Sequence, residues 1–161
     1  MRADEVEQYR ALRLRALRGA PDAFTTLLAD AVAQSPRQWA ERVERVTGDA
    51  RSEFLVAASD DGFHAIAMVS IDEHDGSIAE ITRMWVDEDR RGDGLAAALI
   101  ASAERWALDR SATVMRLWCT EGNDAALRAY RRAGFHETGE REPLREGSPV
   151  PSLEMRKVIG P

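Results

Sequence analysis

Thiols are nearly missing from this chain: Cys119 is the one cysteine in 161 residues. An internal disulfide and any cysteine-rich metal spacing are therefore excluded, which suits a reducing compartment. Lysine is as scarce, with Lys157 the one lysine among 22 Lys and Arg residues, a bias to which we attach no mechanistic weight. Basic charge is in deficit overall, since 28 Asp and Glu residues leave a formal net charge of -6 and a pI of about 5.2. A broad attraction to nucleic acid or anionic membrane is thus not expected unless basic residues cluster, and a cationic small molecule is the easier partner. No apolar run approaches the roughly 20 residues of a spanning helix, and the N-terminus lacks the apolar stretch of a signal peptide. The expectation is a cytoplasmic protein. The three histidines, His64, His74 and His136, fall in different predicted elements without metal-ligand spacing, so no metal is expected.

What is present is a chain with 44% hydrophobic residues, enough for one domain over residues 1–161 with a real core. Val6, Tyr9, Leu12, Ala16 and Leu17 recur at helical spacing, with Asp4 as the expected cap and a stop near Gly19 and Pro21. A further helix is expected from the cap residue Ser35 and Pro36 to a stop at Gly48. Residues 53–58 and 63–71 read as strands joined by a tight turn at Asp61-Gly62, and residues 78–86 as a third strand. Leu95, Ala98, Leu99, Ala103, Trp106 and Ala107 mark a helix, 114–119 a strand, 124–132 a helix, and 152–158 a closing strand after a polar tail from Glu140 to Pro151.

Between the third strand and the long helix runs Asp87-Glu-Asp-Arg-Arg-Gly-Asp-Gly-Leu-Ala96. A glycine loop there leaves unpaired N–H groups at a helix N-terminus, where partial positive charge favours an anion such as a pyrophosphate. The loop lacks the Gly-Lys-Ser/Thr ending of a Walker loop and the third glycine of a dinucleotide fingerprint, so as a bare pattern it could equally be a tight turn.

Arg91-Gly-Asp-Gly-Leu-Ala96 resembles the Arg/Gln-x-x-Gly-x-Gly/Ala signature of the GNAT superfamily of N-acetyltransferases. The likeness continues in Glu80-Ile-Thr-Arg-Met-Trp-Val86, Leu117-Trp-Cys-Thr-Glu-Gly-Asn123 and Ala126-Leu-Arg-Ala-Tyr-Arg-Arg-Ala-Gly-Phe135, so residues 80–139 carry it most specifically. Tyr9 to Leu14 and Ala20 to Phe24 look like the family's first helix and following loop. The resemblance implies an α/β (α+β) fold with a mixed, mainly antiparallel sheet flanked by helices. It also implies that the sheet splays after Val86 to admit the pantetheine arm of acetyl-coenzyme A, the co-substrate. The family's usual strand before its first helix has no counterpart here, because the chain enters the helix almost at once.

By the same resemblance, coenzyme contacts fall to Met84, Trp85, Val86, Arg91, Gly92, Asp93, Gly94, Leu95, Ala96, Asn123, Ala126 and Tyr130, with the backbone near Met84 and Val86 polarising the acetyl carbonyl. Asp93 stands where many relatives have a basic or neutral residue, so its carboxylate is expected to face solvent while its N–H faces the pyrophosphate. An amine with a pKa near 10.4 needs roughly 4–5 kcal/mol to be deprotonated at pH 7, which makes a base valuable. Glu80 is the candidate base, with a surface strand charge as its other reading. Tyr130 is the candidate acid for the departing thiolate, or a packing residue. Asn123 is a pantetheine contact, a helix cap, or both. Cys119 is read as a small core residue, since no base is paired with it. Phe24, Trp39 and Trp85 are candidates for an acceptor pocket, or core aromatics.

The expected function is acetyl transfer to a primary amine of a small molecule or peptide by direct attack in a ternary complex, with a homodimer possible. The alternatives are a non-catalytic acyl-coenzyme A binding module, or a loop for a different phosphate compound.

Overall fold

The computed structural model describes residues 1–160. Five α-helices, α1 (Val6–Gly19), α2 (Leu28–Val32), α3 (Pro36–Thr47), α4 (Leu95–Leu108) and α5 (Asp124–Arg132), surround six strands. These are β1 (Ser52–Ser59), β2 (Gly62–Ile71), β3 (Ile78–Val86), β4 (Val114–Thr120), β5 (His136–Pro143) and β6 (Pro151–Val158), in the sheet order β1-β2-β3-β4-β6-β5. All pairings are antiparallel except β3 with β4, whose connection runs through α4. A parallel pair needs such a crossover, and it places α4 on one face of the sheet.

Alternation along the strands divides the core in two. Ala79, Ile81, Met115, Leu117, Leu153 and Met155 point to the face covered by α4 and α5. Phe54, Phe63, Ile66 and Trp85 point to the face covered by α1 and α3, where they meet Tyr9, Leu12, Leu17, Trp39 and Val43. Half of the residues of the exposed edge strand β5 are charged, which blunts edge-to-edge pairing.

Ser35 caps α3 as expected: its Oγ accepts from the Gln38 N–H at 3.3 Å, and Gln38 Oε1 accepts from the Ser35 N–H at 2.8 Å. Asp4 does not cap α1. It lies inside a short 3-10 turn, Ala3–Glu5, and Glu5 instead reaches back to the Arg2 N–H. The β1–β2 turn is Asp60-Asp61, with Gly62 (φ 119°) paired to Ser59, because a register shift between Ala57 and Ala58 moves the glycine into the strand. The polar tail is shorter than expected, since β5 extends to Pro143. No strand precedes α1 among the described residues, and the Met1 ammonium donates to the Phe54 carbonyl at 3.2 Å on the outer edge of β1. No helix of the described residues is long and apolar enough to cross a membrane.

Candidate active site

The sheet opens between β3 and β4. Their pairing runs from Ile78↔Val114 to Ile81↔Leu117 and then stops, so the edge of β3 from Thr82 to Val86 has no partner on that side. The opening begins before the expected point after Val86, and a bulge explains the shift. Across from β2, Ile66 pairs with Trp85 and Met68 with Thr82, so Arg83 and Met84 together oppose Ala67. Arg83 takes a left-handed φ of 54°, uncommon for a side chain of its size. Bulges bend a strand and re-aim its residues, and they recur beside active sites.

A cleft of about 80 Å³ lies in the opening, lined by residues that include Phe24, Met84, Asn123, Ala126 and Tyr130. Asn123 Oδ1 accepts from the Ala126 N–H at 3.3 Å, capping α5, which leaves its Nδ2 free for another acceptor. The capping and contact roles are therefore compatible. Tyr130 is buried against Phe135, with ring centroids 6.1 Å apart. Burial pushes its phenol pKa upward and that of the Cys119 thiol up to about 11, so both stay protonated near neutrality. Such a thiol is a poor nucleophile, in keeping with a packing role for Cys119.

Beside the cleft, β3 leads through a short turn, Glu88–Arg90, into the N-terminus of α4. Gly92 and Gly94 have φ of 100° and 81°, and a Cβ at either would meet nothing within 4 Å. The glycines thus serve the backbone path and allow a close approach from solvent. The N–H groups of Gly92, Gly94, Leu95, Ala96 and Ala97 have no hydrogen-bond partner among the described residues. Asp93 differs: its half-exposed carboxylate accepts from Arg90 Nε at 3.0 Å, but its N–H turns back to the Arg90 carbonyl at 3.4 Å instead of standing free. A second turn, with Arg91 extended and Gly92 at positive φ, follows the Glu88–Arg90 turn and folds the Asp93 N–H back. Arg91 is half-exposed, 3.5 Å from Glu88. Open space, free donors and the helix dipole together fit a pyrophosphate.

Glu80 lies on the α1–α3 face of β3, beside Arg116 on β4. Arg116 Nη2 donates to Glu80 Oε2 at 2.8 Å and to Asp72 Oδ2 at 2.6 Å. Asp72 also accepts from the His74 and Asp75 N–H groups, and these bonds with that from Arg116 hold its carboxyl down at about 2. Glu80 and Asp72 border an open cavity of about 590 Å³, together with Asp49, Arg51, Glu73 and His74. The base candidate thus borders the acidic basin and is not among the residues that line the cleft, although its neighbours Ile81 and Thr82 are.

Of the three aromatic residues expected at an acceptor pocket, only Phe24 lines the cleft. Trp39 is fully buried against Tyr9, at 5.7 Å between centroids, and Trp85 is buried in the same cluster, because the apolar stripes of α1 and α3 close over both rings.

A family model described as "Acetyltransferase (GNAT) family" matches residues 19–135, well over half the chain. This chain belongs to that family. A relative described as an uncharacterized N-acetyltransferase, from Methanocaldococcus jannaschii, is 40% identical over 60 residues, which is 37% of this chain and 26% of the relative. The chain spans about a quarter to a half of the length of the curated relatives it matches. Among solved structures, a GNAT-family acetyltransferase from Streptococcus pneumoniae superposes with a TM-score of 0.81 at 18% identity, covering 99% of this chain and 96% of the other. An acetyltransferase from Salmonella typhimurium, solved with acetyl-CoA, superposes with a TM-score of 0.79 at 17% identity, covering 100% and 92%. At these identities the likeness concerns the GNAT fold.

Sequence reasoning passed over two arginines of this GNAT chain. Arg13 is 2% exposed, and its Nε and Nη1 have no partner. Its Cζ sits 4.2 Å from the centroid of the Phe24 ring, the same Phe24 that lines the cleft. Burial is the main cause of its lowered pKa of about 10, with Arg83 and Arg42 adding to the effect. Arg83 lines the cleft and is lowered too, chiefly by burial. Neither forms an ion pair among the described residues, although stacking on aromatic faces returns about 2 kcal/mol when desolvated against several kcal/mol for each buried ion. The signal for Arg13 was legible: it falls four residues after Tyr9 and three before Ala16, on the buried stripe of α1. That for Arg83 was not, because only the bulge turns it inward.

A second polar knot lies outside the cleft on the β1–β2 hairpin. His64 Nε2 is 2.6 Å from Ser59 Oγ and 2.9 Å from Asp61 Oδ1, and Arg15 ties Asp87 into the group. With Asp61 on the nitrogen that would have to take the serine proton, it fastens the hairpin to α1 and does not activate Ser59.

Proposed function

We propose that this chain transfers the acetyl group of acetyl-coenzyme A to a primary amine of a small molecule or peptide, by direct attack in a ternary complex. The observation that carries this reading is the parallel pair β3–β4, splayed after Ile81 and ending at a loop whose N–H groups are free. Acetyl-CoA in the Salmonella typhimurium protein of the same fold supports the choice of co-substrate. The loop from Arg91 to Ala96 holds the pyrophosphate, with Asp93 contributing no free donor. Met84, Trp85 and Val86 supply backbone along the open edge, and Asn123 and Ala126 flank the arm from α5. In the transfer, the amine nitrogen bonds the acetyl carbon as the carbon–sulfur bond breaks. Glu80, directly or through water, takes the proton lost by the amine, and Tyr130, kept protonated by burial, gives one to the departing thiolate.

The test is a thiol-release assay over chemically diverse amines, with mass spectrometry of the product. Glu80→Gln is expected to lower kcat by about 10²–10⁴-fold. Tyr130→Phe is expected to lower it less, since a thiol of pKa about 8.5 is a tolerable leaving group. Unchanged turnover in both variants removes these roles. The hold of Arg116 on Glu80 favours a second reading, a non-catalytic acyl-coenzyme A binding module. Tight coenzyme binding without thiol release from any amine would select it.

A further inference from the structure

The net charge of -6 and the acidic basin beside Glu80 both suggest a cationic acceptor, yet the inner end of the cleft has the opposite sign. Arg83 and Thr82 line the cleft, and Arg13 lies behind Phe24. Thr82 Oγ1 is buried without a hydrogen-bond partner, as are Arg13 Nε and Nη1 behind Phe24 and the Tyr9 hydroxyl one helical turn before Arg13 on α1. Further arginines, Arg42 and Arg45, add like charge around Arg13 and Arg83 while Tyr9 acts in the opposite sense, and no carboxylate pairs with either arginine among the described residues. Buried polar groups are normally paired, and buried charges nearly always so. Unpaired donors beside a cleft where a substrate must sit, with Arg83 Nη1 donating only to the thioether Sδ of Met68, specify what that substrate brings.

We infer that the acceptor is a small amine bearing an anionic group, a carboxylate or a phosphorus oxyanion, which Arg83 and Arg13 bind with Thr82 while the amine faces Glu80. The assignment rests on the acetyl-transfer reading for the amine end only. Glu80 and Arg83 are three residues apart on β3, and the bulge that begins at Arg83 keeps their separation within the roughly 10 Å of a regular strand. With two side chains reaching inward, that span fits an amine whose anionic group lies a few bonds away, as in an α-amino acid or an aminoalkylphosphonate. A planar guanidinium matches either oxyanion in a forked pair of hydrogen bonds. Recognition of this kind also discriminates strongly, because an uncharged analogue leaves the buried donors unpaired.

Matched amines differing only in the anion provide the test: phenylalanine against phenethylamine, and 2-aminoethylphosphonate against ethylamine, each assayed by thiol release. At least a tenfold higher kcat/KM for the anionic member of either pair is expected, and the pair with the larger ratio identifies the anion. Arg13→Met should abolish that preference while leaving the melting temperature unchanged or higher, and Arg13→Lys should restore part of it. A purely structural Arg13 would leave the ratio untouched. Should Arg13→Met fail to fold, Arg83→Met gives the same readout. Acetyl transfer with neutral amines equal to or better than their anionic partners overturns the inference and leaves the proposed function standing. If no amine releases thiol, the proposed function fails. The anion site is then decided by calorimetric titration of the coenzyme A-loaded protein with N-acetylphenylalanine and N-acetylphenethylamine. Tighter binding of the former by tenfold or more, lost in Arg13→Met, upholds the site, and equal binding or none rejects it.

Discussion

The two faces of the sheet are finished to different standards. Toward α4 and α5, aliphatic and small side chains interlock, and Trp106 Nε1 is the one buried donor there without a partner among the described residues. Toward α1 and α3, the packing is aromatic and Tyr9, Arg13, Trp39, Thr82 and Trp85 all hold unpaired polar atoms. One sheet and one solvent surround both, so the contrast reflects different tasks. The first face holds the fold together and supports the glycine loop with its free N–H groups at the start of α4. The second leaves donors unpaired, and of these only the Thr82 hydroxyl belongs to a residue that lines the cleft.

Truncation in the finished face should cost most. Leu117→Ala is expected to lower the unfolding free energy by about 2–5 kcal/mol, read by chemical denaturation, because it opens a cavity among rigid neighbours. A much smaller loss would mean that this face is no better packed than the other. On the opposite face, Thr82→Val exchanges an unpaired buried hydroxyl for a methyl of the same shape. It should raise stability by about 1 kcal/mol while weakening the acceptor KM. A destabilised variant would show that the hydroxyl has a partner and that the contrast between faces is overstated.

The rim of the second face gives a pH-dependent test. The Asp72 carboxyl is depressed to about 2, from an ordinary value near 3.9, so its contribution to stability is present above about pH 4 and fades as the pH falls toward 2. Asp72→Asn should therefore be less stable than the parent at pH 6, and the two denaturation curves should converge near pH 2. A constant gap across that range would mean that the loss is one of packing. Smallest of all is Asp93→Asn, which breaks an exposed pair with Arg90 worth about 0.2–1 kcal/mol. Its affinity for acetyl-coenzyme A, measured by calorimetry, should shift by less than about tenfold, and a larger gain would mean that the carboxylate faces the pyrophosphate.

Local physics made much of this molecule legible in one dimension. Periodicity and punctuation located α3 through Ser35 and Gly48, β3 over residues 78–86 and α4 over 95–108, because a cap, an alternation or an apolar stripe is complete within a few residues. The glycines at 92 and 94 pointed to a loop at a helix N-terminus for the same reason, since their positive φ is a property of one residue and its neighbours. Where the sheet opens depends on how many residues of β3 oppose each residue of β2, and that count exists only once the strands are paired. The pairing also turned Arg83 inward, while the closing of α1 and α3 sealed Trp39 and Trp85 away from the cleft. A sequence counts charges over the whole chain, and so an acidic protein suggested a cationic acceptor. Burial weights each charge by its surroundings, so the buried Arg13 and half-buried Arg83 count for more beside the cleft than surface carboxylates that water and salt screen, which is the ground of the anionic-acceptor proposal.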